Sequence, residues 1–151
     1  MSRSEWIVCE RTSRWASAMR LELAAEGSPI RLRETRSLSE LTANLLEDST
    51  GLSAVEVHRG NFADVLAWLT SARRRCDRGR LVALLDRSLA SHATAARDAL
   101  VEAGAEAIAN SPRRLSTILA VGARHGQLAL ETDENVPYLA QVWASLPWQP
   151  R

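Results

Sequence analysis

Short apolar runs alternate with amphipathic segments along most of the chain, and the pattern is clearest over residues 80–115. There the apolar run RLVALLDRS stops at an acid and a hydroxyl, and a polar, alanine-rich stretch follows from about residue 91 to 103. Gly-Ala then precedes a second apolar run, EAIAN, before Ser111 and Pro112 open another helix. A strand, a helix and a strand in such close succession are typical of a parallel crossover. The pattern therefore predicts a sheet with helices packed on its faces.

The same alternation extends back to the N-terminus. Further strands are predicted at residues 6–9, 30–35 and 52–57, and the second alternates apolar and charged residues as an edge strand does. The first helix is predicted to begin at a Thr12 or Ser13 cap and to end at Gly27. Two amphipathic helices are predicted over residues 38–50 and 61–75, and a last one after Pro112. The chain is thus β-α repeated five times, an α/β domain over residues 1–126.

Composition narrows the class of protein. The chain has 151 residues, of which 46% are hydrophobic and 25% charged, values typical of one globular domain. No apolar run approaches the roughly 20 residues of a spanning helix, and MSRSEW lacks a signal-peptide core, so we expect a cytoplasmic protein without a membrane partner. Cys9 and Cys76 lack CxxC spacing, which predicts reduced thiols. The three histidines are widely separated, and we predict no metal site and no cofactor.

All 19 residues counted as Lys or Arg are arginines. The absence of lysine excludes a P-loop and Schiff-base chemistry. The formal net charge is +1, so no global field attracts nucleic acid. The arginine run over residues 73–80 complements the C-terminal end of a helix, and without interleaved aromatic residues we predict no nucleic-acid partner.

A (βα)5 chain whose third, fourth and fifth strands end in short polar loops resembles a response-regulator receiver domain. LVALLDRS followed by DALVEAGAEAIANSPRRL is similar to a receiver's apolar fourth strand, alanine-rich helix, Gly-Ala, fifth strand and Lys-Pro. The resemblance covers about residues 5–125 as topology and is specific in its motifs over residues 81–115. It implies a flavodoxin-like three-layer sandwich with a five-stranded parallel sheet of order 2-1-3-4-5.

In receivers, an aspartate at the end of the third strand is phosphorylated, and acids after the first strand bind magnesium. A Thr or Ser ends the fourth strand, and a lysine precedes a proline after the fifth. The resemblance places these roles on other residue types: the acidic pair on Cys9 and Glu10, the phosphoacceptor on Glu56 (or on Val57 or His58 if the register slips), the Thr or Ser on Asp86, and the lysine on Ser111 before Pro112.

Each replacement changes the chemistry that the resemblance implies. Glutamate carries its carboxyl group on a longer arm, so the geometry for in-line phosphoryl transfer is lost while a permanent charge remains. No lysine is present to hold a phosphoryl oxygen, and Asp86 places a like charge where a hydroxyl is expected. The chain is therefore interpreted as a pseudo-receiver with a degenerate acidic pocket formed by Glu10, Glu56, Asp86 and Ser111. The alternative is that these polar residues simply end strands at water.

Residues 127–151 extend beyond what a receiver needs. Val136, Leu139, Trp143 and Leu146 recur at helical spacing, which predicts a short C-terminal amphipathic helix that ends before Pro147. Its apolar face must be buried, either on the same domain, which the lack of a flexible linker favours, or on a partner. Leu139, Trp143, Leu146 and Trp148 are the candidate interaction residues.

Two functional hypotheses follow. The first is a non-phosphorylatable receiver-like interaction, scaffold or regulatory module without enzymatic activity. Its protein partner is not identified by the sequence, and a homodimer through residues 93–101 and 115–121 rests on analogy with receivers. The alternative is a small-ligand or cation binder, or an unrecognised enzyme, at the carboxyl edge of the sheet. The chain has no glycine-rich phosphate loop, Ser-His-Asp arrangement or His/Cys cluster to support the alternative.

Overall fold

The computed structural model describes residues 5–47, 52–75, 80–115 and 118. Its five strands are β1 (Glu5–Cys9), β2 (Arg31–Thr35), β3 (Leu52–Val57), β4 (Arg80–Leu85) and β5 (Ala107–Ala109). Its four α-helices are α1 (Arg14–Ala25), α2 (Leu38–Glu47), α3 (Phe62–Arg75) and α4 (Ala93–Ala103). Two short 3₁₀ helices, Arg87–His92 and Pro112–Arg114, follow β4 and β5. The predicted alternation of strands and helices is confirmed over the described residues.

All strand pairs are parallel, and the strand order is β2-β1-β3-β4-β5. The order that the receiver resemblance implied is therefore confirmed. The registers place Cys9 opposite both Thr35 and Val55, and Val57 opposite Leu85, so the first four strands end close to one level. The loops that follow them meet at the carboxyl edge of the sheet.

Two apolar layers cover the two faces of the sheet. On one face, α1 packs Trp15, Met19 and Leu23 against the strands, and Leu115 and Ile118 complete that layer. On the other face, the buried side chains come from α2, α3 and α4 and include Leu41, Leu45, Val65, Leu69 and Leu100. Each buried aliphatic side chain contributes about 1.5–3 kcal/mol to folding. The three-layer arrangement follows from this division.

The ends of two helices show where the sequence was informative and where it was not. Gly27 adopts φ +64°, and the amide of Ser28 donates to the carbonyl of Leu23, so α1 ends in the predicted glycine cap. The helix predicted from about residue 91 to 103 is α4, whereas the 3₁₀ helix before it was not predicted. The 3₁₀ helix Arg87–His92 leads directly into α4, which begins at Ala93.

The predicted end of the last helix at residue 126 and the predicted C-terminal helix with Leu139, Trp143, Leu146 and Trp148 lie outside the described residues. Cys76 lies outside them as well, whereas Cys9 is a buried free thiol. Of the described helices, none combines the length and the apolar character needed to cross a membrane.

Candidate functional site

The first crossover, through α1, places β2 on one side of β1, whereas the later crossovers place β3, β4 and β5 on the other side. The order of the strands therefore changes direction between β1 and β3. In open α/β sheets such a switch point leaves a crevice outside the carboxyl ends of the strands. A cleft of about 330 Å³ lies there, lined by the loops after β1, β2 and β3. Its lining residues are Cys9, Glu10, Arg11, Arg36, Leu38, Glu56, His58, Asn61 and Asp64.

Glu10 follows β1, and its carboxylate turns back to the start of α1. Its two oxygens accept hydrogen bonds from the backbone amides of Trp15 (2.9 Å) and Ala16 (2.8 Å). These amides are among those that the first helical turn leaves without an intrahelical acceptor. Glu10 is 3% exposed, and burial raises its pKa although the two backbone hydrogen bonds oppose the shift. Glu10 is therefore a buried cap of α1.

Ser13, one of the two predicted caps of α1, makes no capping hydrogen bond. Its hydroxyl instead donates to Glu34 of β2 at 2.7 Å and accepts from Arg36 at 3.0 Å. The hydrogen bond from Ser13 and the nearby cations Arg20 and Arg36 lower the pKa of Glu34. The loops after β1 and β2 are thus joined by a charged network on one side of the cleft.

Glu56 lies one residue before the end of β3, at the position that the resemblance assigned to the phosphoacceptor. It is 5% exposed, and its Oε1 accepts a hydrogen bond from Nε of Arg11 at 3.0 Å. The side chain of Arg11 is 58% exposed and covers the carboxylate from the solvent side. Val57 is buried in the layer beneath α2 and α3, and His58 lies beyond the strand. Glu56 is thus the nearly buried carboxylate at the end of β3, and it is paired with Arg11.

The loop between β3 and α3 is fixed by Asn61. Its side-chain oxygen accepts from the amide of His58 at 2.8 Å, and its side-chain nitrogen donates to the carbonyl of Glu56 at 2.9 Å. The amide of Arg59 donates to the hydroxyl of Ser88 at 3.1 Å, which joins this loop to the one after β4. The backbone around Glu56 is therefore held by hydrogen bonds on both sides.

Asp86 and Ser111 do not line the cleft. The carboxylate of Asp86 accepts from the amide of Ser88 at 3.1 Å and caps the 3₁₀ helix Arg87–His92. That hydrogen bond, with a smaller contribution from Arg11, lowers the pKa of Asp86. The hydroxyl of Ser111 accepts from the amide of Arg113 at 3.3 Å and caps the 3₁₀ helix Pro112–Arg114. Each of the two residues is therefore engaged in a local cap.

Sequence reasoning did not select Arg11, Arg36 or Asn61 as site residues. The signal for Arg11 was its place beside Glu10 in the loop after β1, together with the adjacency of β1 and β3 in the sheet. The side chain of Arg36 donates to the carbonyl of Glu10 at 3.0 Å, a contact that depends on the edge position of β2. Such contacts follow from tertiary register and not from local pattern.

The chemistry available in this cleft is limited. In the part of the chain that the structure describes, no group of three or more His, Cys, Asp or Glu side chains is arranged to hold a metal ion. Both oxygens of Glu10 and one oxygen of Glu56 already accept hydrogen bonds from the protein, which leaves fewer free sites on these carboxylates for a metal ion. Burial raises the pKa of the Cys9 thiol, which disfavours the nucleophilic thiolate.

Comparison with solved structures identifies the fold. A CheY-like protein (tadZ) from Pseudomonas aeruginosa PAO1 matches with a TM-score of 0.64 and 18% identity, over 82% of this chain and 100% of that one. A response regulator from Thermotoga maritima matches with a TM-score of 0.64 and 17% identity, over 83% and 99%. This chain has the CheY-like receiver fold.

A third similar structure is a pilus assembly-related protein from Burkholderia pseudomallei K96243, with a TM-score of 0.58 and 16% identity over 82% of this chain and 90% of that one. No protein-family model and no curated protein matches the chain significantly. At these identities the similarity concerns the fold and not the residues of the cleft.

Proposed function

We propose that this chain is a regulatory module with the receiver fold that binds a protein partner in one constitutive conformation, without control by aspartate phosphorylation. The observation that carries the proposal is the ion pair between Glu56 and Arg11. The carboxylate at the end of β3 is nearly buried, and a cation from the same chain lies beside it. The carboxyl group at the position of the receiver phosphoacceptor therefore already has a partner within the chain.

The other receiver positions support the same proposal. Glu10 caps α1, and Asp86 and Ser111 cap the two 3₁₀ helices, so these side chains have structural partners. The chain contains no lysine that could take the place of the receiver lysine. The carboxylate of Glu56 is nearly buried, and its Oε1 is already paired with Arg11. We expect a phosphoryl adduct to form poorly there, because the carboxylate is shielded from a donor and no lysine is present to hold a phosphoryl oxygen.

The alternative of a cation or small-ligand site at the same edge has less support. Magnesium needs oxygen ligands that are free to coordinate it, and two of the three acids at the strand ends are occupied by backbone amides. The similar structures come from differently described proteins, a response regulator and a pilus assembly-related protein, so they do not specify the partner. The proposal is therefore limited to a protein-binding regulatory role.

The test is incubation of the full chain with acetyl phosphate and magnesium, followed by intact-mass measurement. We expect no stable addition of a phosphoryl group, whereas a phosphorylatable receiver treated in parallel gains one. Glu56→Gln is the matched control, because it removes the carboxylate and keeps the side-chain size. A phosphoryl adduct on the unsubstituted chain that is missing from Glu56→Gln would overturn the proposal.

A further inference from the structure

Every loop at the carboxyl edge of the sheet presents an exposed arginine. In the order of the strands across the sheet, these residues, here called the arginine row, are Arg36, Arg11, Arg59, Arg87 and Arg113. Each follows its strand by one to four residues. Neighbouring members of this row are separated by 25 to 48 residues in the sequence, so the row exists only because of the fold.

The geometry of the sheet makes this row linear. Neighbouring strands lie about 4.8 Å apart, so five adjacent strand ends extend over about 19 Å. The helices α1, α2, α3 and α4 all begin at this edge, and the positive ends of their dipoles add to the charge of the arginines. The edge is therefore a strip of positive charge and not a single anion pocket.

The acids of the same edge mostly face inward or are already paired. Glu10 and Glu56 are buried, and Glu34 is engaged by Arg20 and Arg36. Two exposed acids, Glu40 and Asp64, lie in the first turns of α2 and α3. Among the described residues, no carboxylate lies within 4.0 Å of the side-chain nitrogens of Arg59, Arg87 or Arg113. The half of the row over β3, β4 and β5 thus contains three arginines without an ion pair, with the exposed Asp64 and the half-buried Asp86 as the acids at the same strand ends.

We propose that the arginine row binds an extended acidic segment of a partner protein, rich in Asp and Glu. This inference rests on the proposed function and names the surface and the chemistry of the partner. Arginine is suited to the task because its planar guanidinium group binds carboxylates through two parallel hydrogen bonds. An extended chain places every second side chain on one face at a spacing of about 6.6 Å, which is compatible with a row about 19 Å long.

The other polyanions fit the edge less well. Single-stranded nucleic acid is held by aromatic side chains on which bases stack. The aromatic residues Trp15 and Phe62, in the first turns of α1 and α3, are buried in the core or packed against it, so neither offers a stacking surface at this edge. A membrane surface is bound most firmly when apolar side chains accompany the charges. The exposed large apolar residues of the described chain, Leu21 and Val101, lie within α1 and α4, at least seven residues from the start of each helix.

The test is fluorescence anisotropy with a labelled peptide that alternates Glu and Ser, titrated with the full chain at several salt concentrations. We expect binding that weakens as salt increases, and no binding of the same peptide with Gln in place of Glu. The triple variant Arg59→Ala, Arg87→Ala, Arg113→Ala is expected to bind at least about tenfold more weakly. It leaves Arg11, and with it the ion pair to Glu56, unchanged.

A second triple variant is the matched control. Arg31→Ala, Arg74→Ala and Arg97→Ala change the net charge equally, at exposed positions in β2, α3 and α4 away from the carboxyl edge. We expect this variant to bind the peptide as the unsubstituted chain does, and circular dichroism should show both variants folded. Equal weakening in the two variants, no binding at low salt, or tighter binding of single-stranded DNA or anionic vesicles would overturn the inference. None of these results would bear on the phosphorylation test, so the two proposals fail separately.

Discussion

At the scale of single residues, the three acids that end β1, β3 and β4 differ in their partners, and the partners decide their properties. Glu10 is buried and accepts hydrogen bonds from two backbone amides. Glu56 accepts a hydrogen bond from the partly exposed side chain of Arg11, and Asp86 accepts one from the backbone amide of Ser88 at the surface. Burial raises the pKa of Glu10, whereas the hydrogen bond from Ser88 lowers that of Asp86. Two acids at strand ends of the same sheet edge therefore have pKa values shifted in opposite directions.

The raised pKa of Glu10 makes a prediction about stability. A group whose pKa is higher in the folded state contributes stability that is present below its unfolded pKa and is lost as the pH rises through its folded pKa. The side chain introduced by Glu10→Gln cannot titrate, and its NH2 group would face one of the two backbone amides that Glu10 accepts from. We expect this meeting of two donors to lower the free energy of unfolding by about 1–3 kcal/mol. The unsubstituted chain and Glu10→Gln should therefore differ less in their free energies of unfolding as the pH rises from about 4 to about 7. Urea unfolding at several pH values measures this difference.

Glu102→Gln is the control for this measurement, because Glu102 is exposed on α4. The effect of that substitution should be small at both pH values. A destabilisation by Glu10→Gln that grows as the pH rises would show that the pKa of Glu10 is lowered and that capping outweighs burial.

Strand ends were predictable from the sequence, and that was enough to select Glu10, Glu56 and Asp86. Their partners were not predictable, because the cap formed by Glu10 depends on α1 beginning at Arg14, five residues after β1 ends. The partner of Glu56 comes from a loop 45 residues away in the sequence. Hydrogen bonds at such separations are set by the packing of β1 against β3.

At the scale of elements, the loop from β3 to α3 is held by one side chain. Asn61 bonds to the backbone of Glu56 and of His58, which closes the loop and starts α3 at the same time. We predict that Asn61→Ala destabilises the protein by about 1–2 kcal/mol, because it leaves a carbonyl and an amide without their partner. Chemical denaturation measures the difference.

Asn44→Ala is the matched control for that substitution. The side chain of Asn44 binds the guanidinium of Arg33 in an exposed contact, so its loss should change stability by no more than about 0.5 kcal/mol. Equal effects of the two substitutions would contradict a special role for Asn61.

The bounds of the elements were largely predictable, since apolar runs mark buried strands and Gly27 marks the end of α1. The start of α4 was not. Asp86 and Ser88 form a local capping turn after β4, and this turn favours the 3₁₀ helix Arg87–His92 over an immediate α-helix. Polar residues that can satisfy the backbone in more than one way leave the exact start of a helix undecided.

At the scale of the whole molecule, the sheet needs both of its apolar layers. The number of strands followed from the sequence, whereas their order came from the receiver resemblance, because crossover direction is not written in local periodicity. The layer beside α1 is completed by Leu115 and Ile118, which follow β5 and are 1% and 2% exposed. Leu115 and Ile118 are therefore part of the core.

The place of Leu115 and Ile118 in the core predicts different results for two truncated chains. A chain that ends at Asn110 loses Leu115 and Ile118, each worth about 1.5–3 kcal/mol, from a total stability of about 5–15 kcal/mol. We expect it to lose cooperative thermal unfolding. A chain that ends at Gly126 is expected to keep it, because 82% of this chain matches the full length of the Pseudomonas CheY-like protein. Calorimetry of both chains tests this.

Failure of the longer chain to fold would place residues 127–151 in the core. Cooperative unfolding of the shorter chain would show that the layer beside α1 is complete without Leu115 and Ile118.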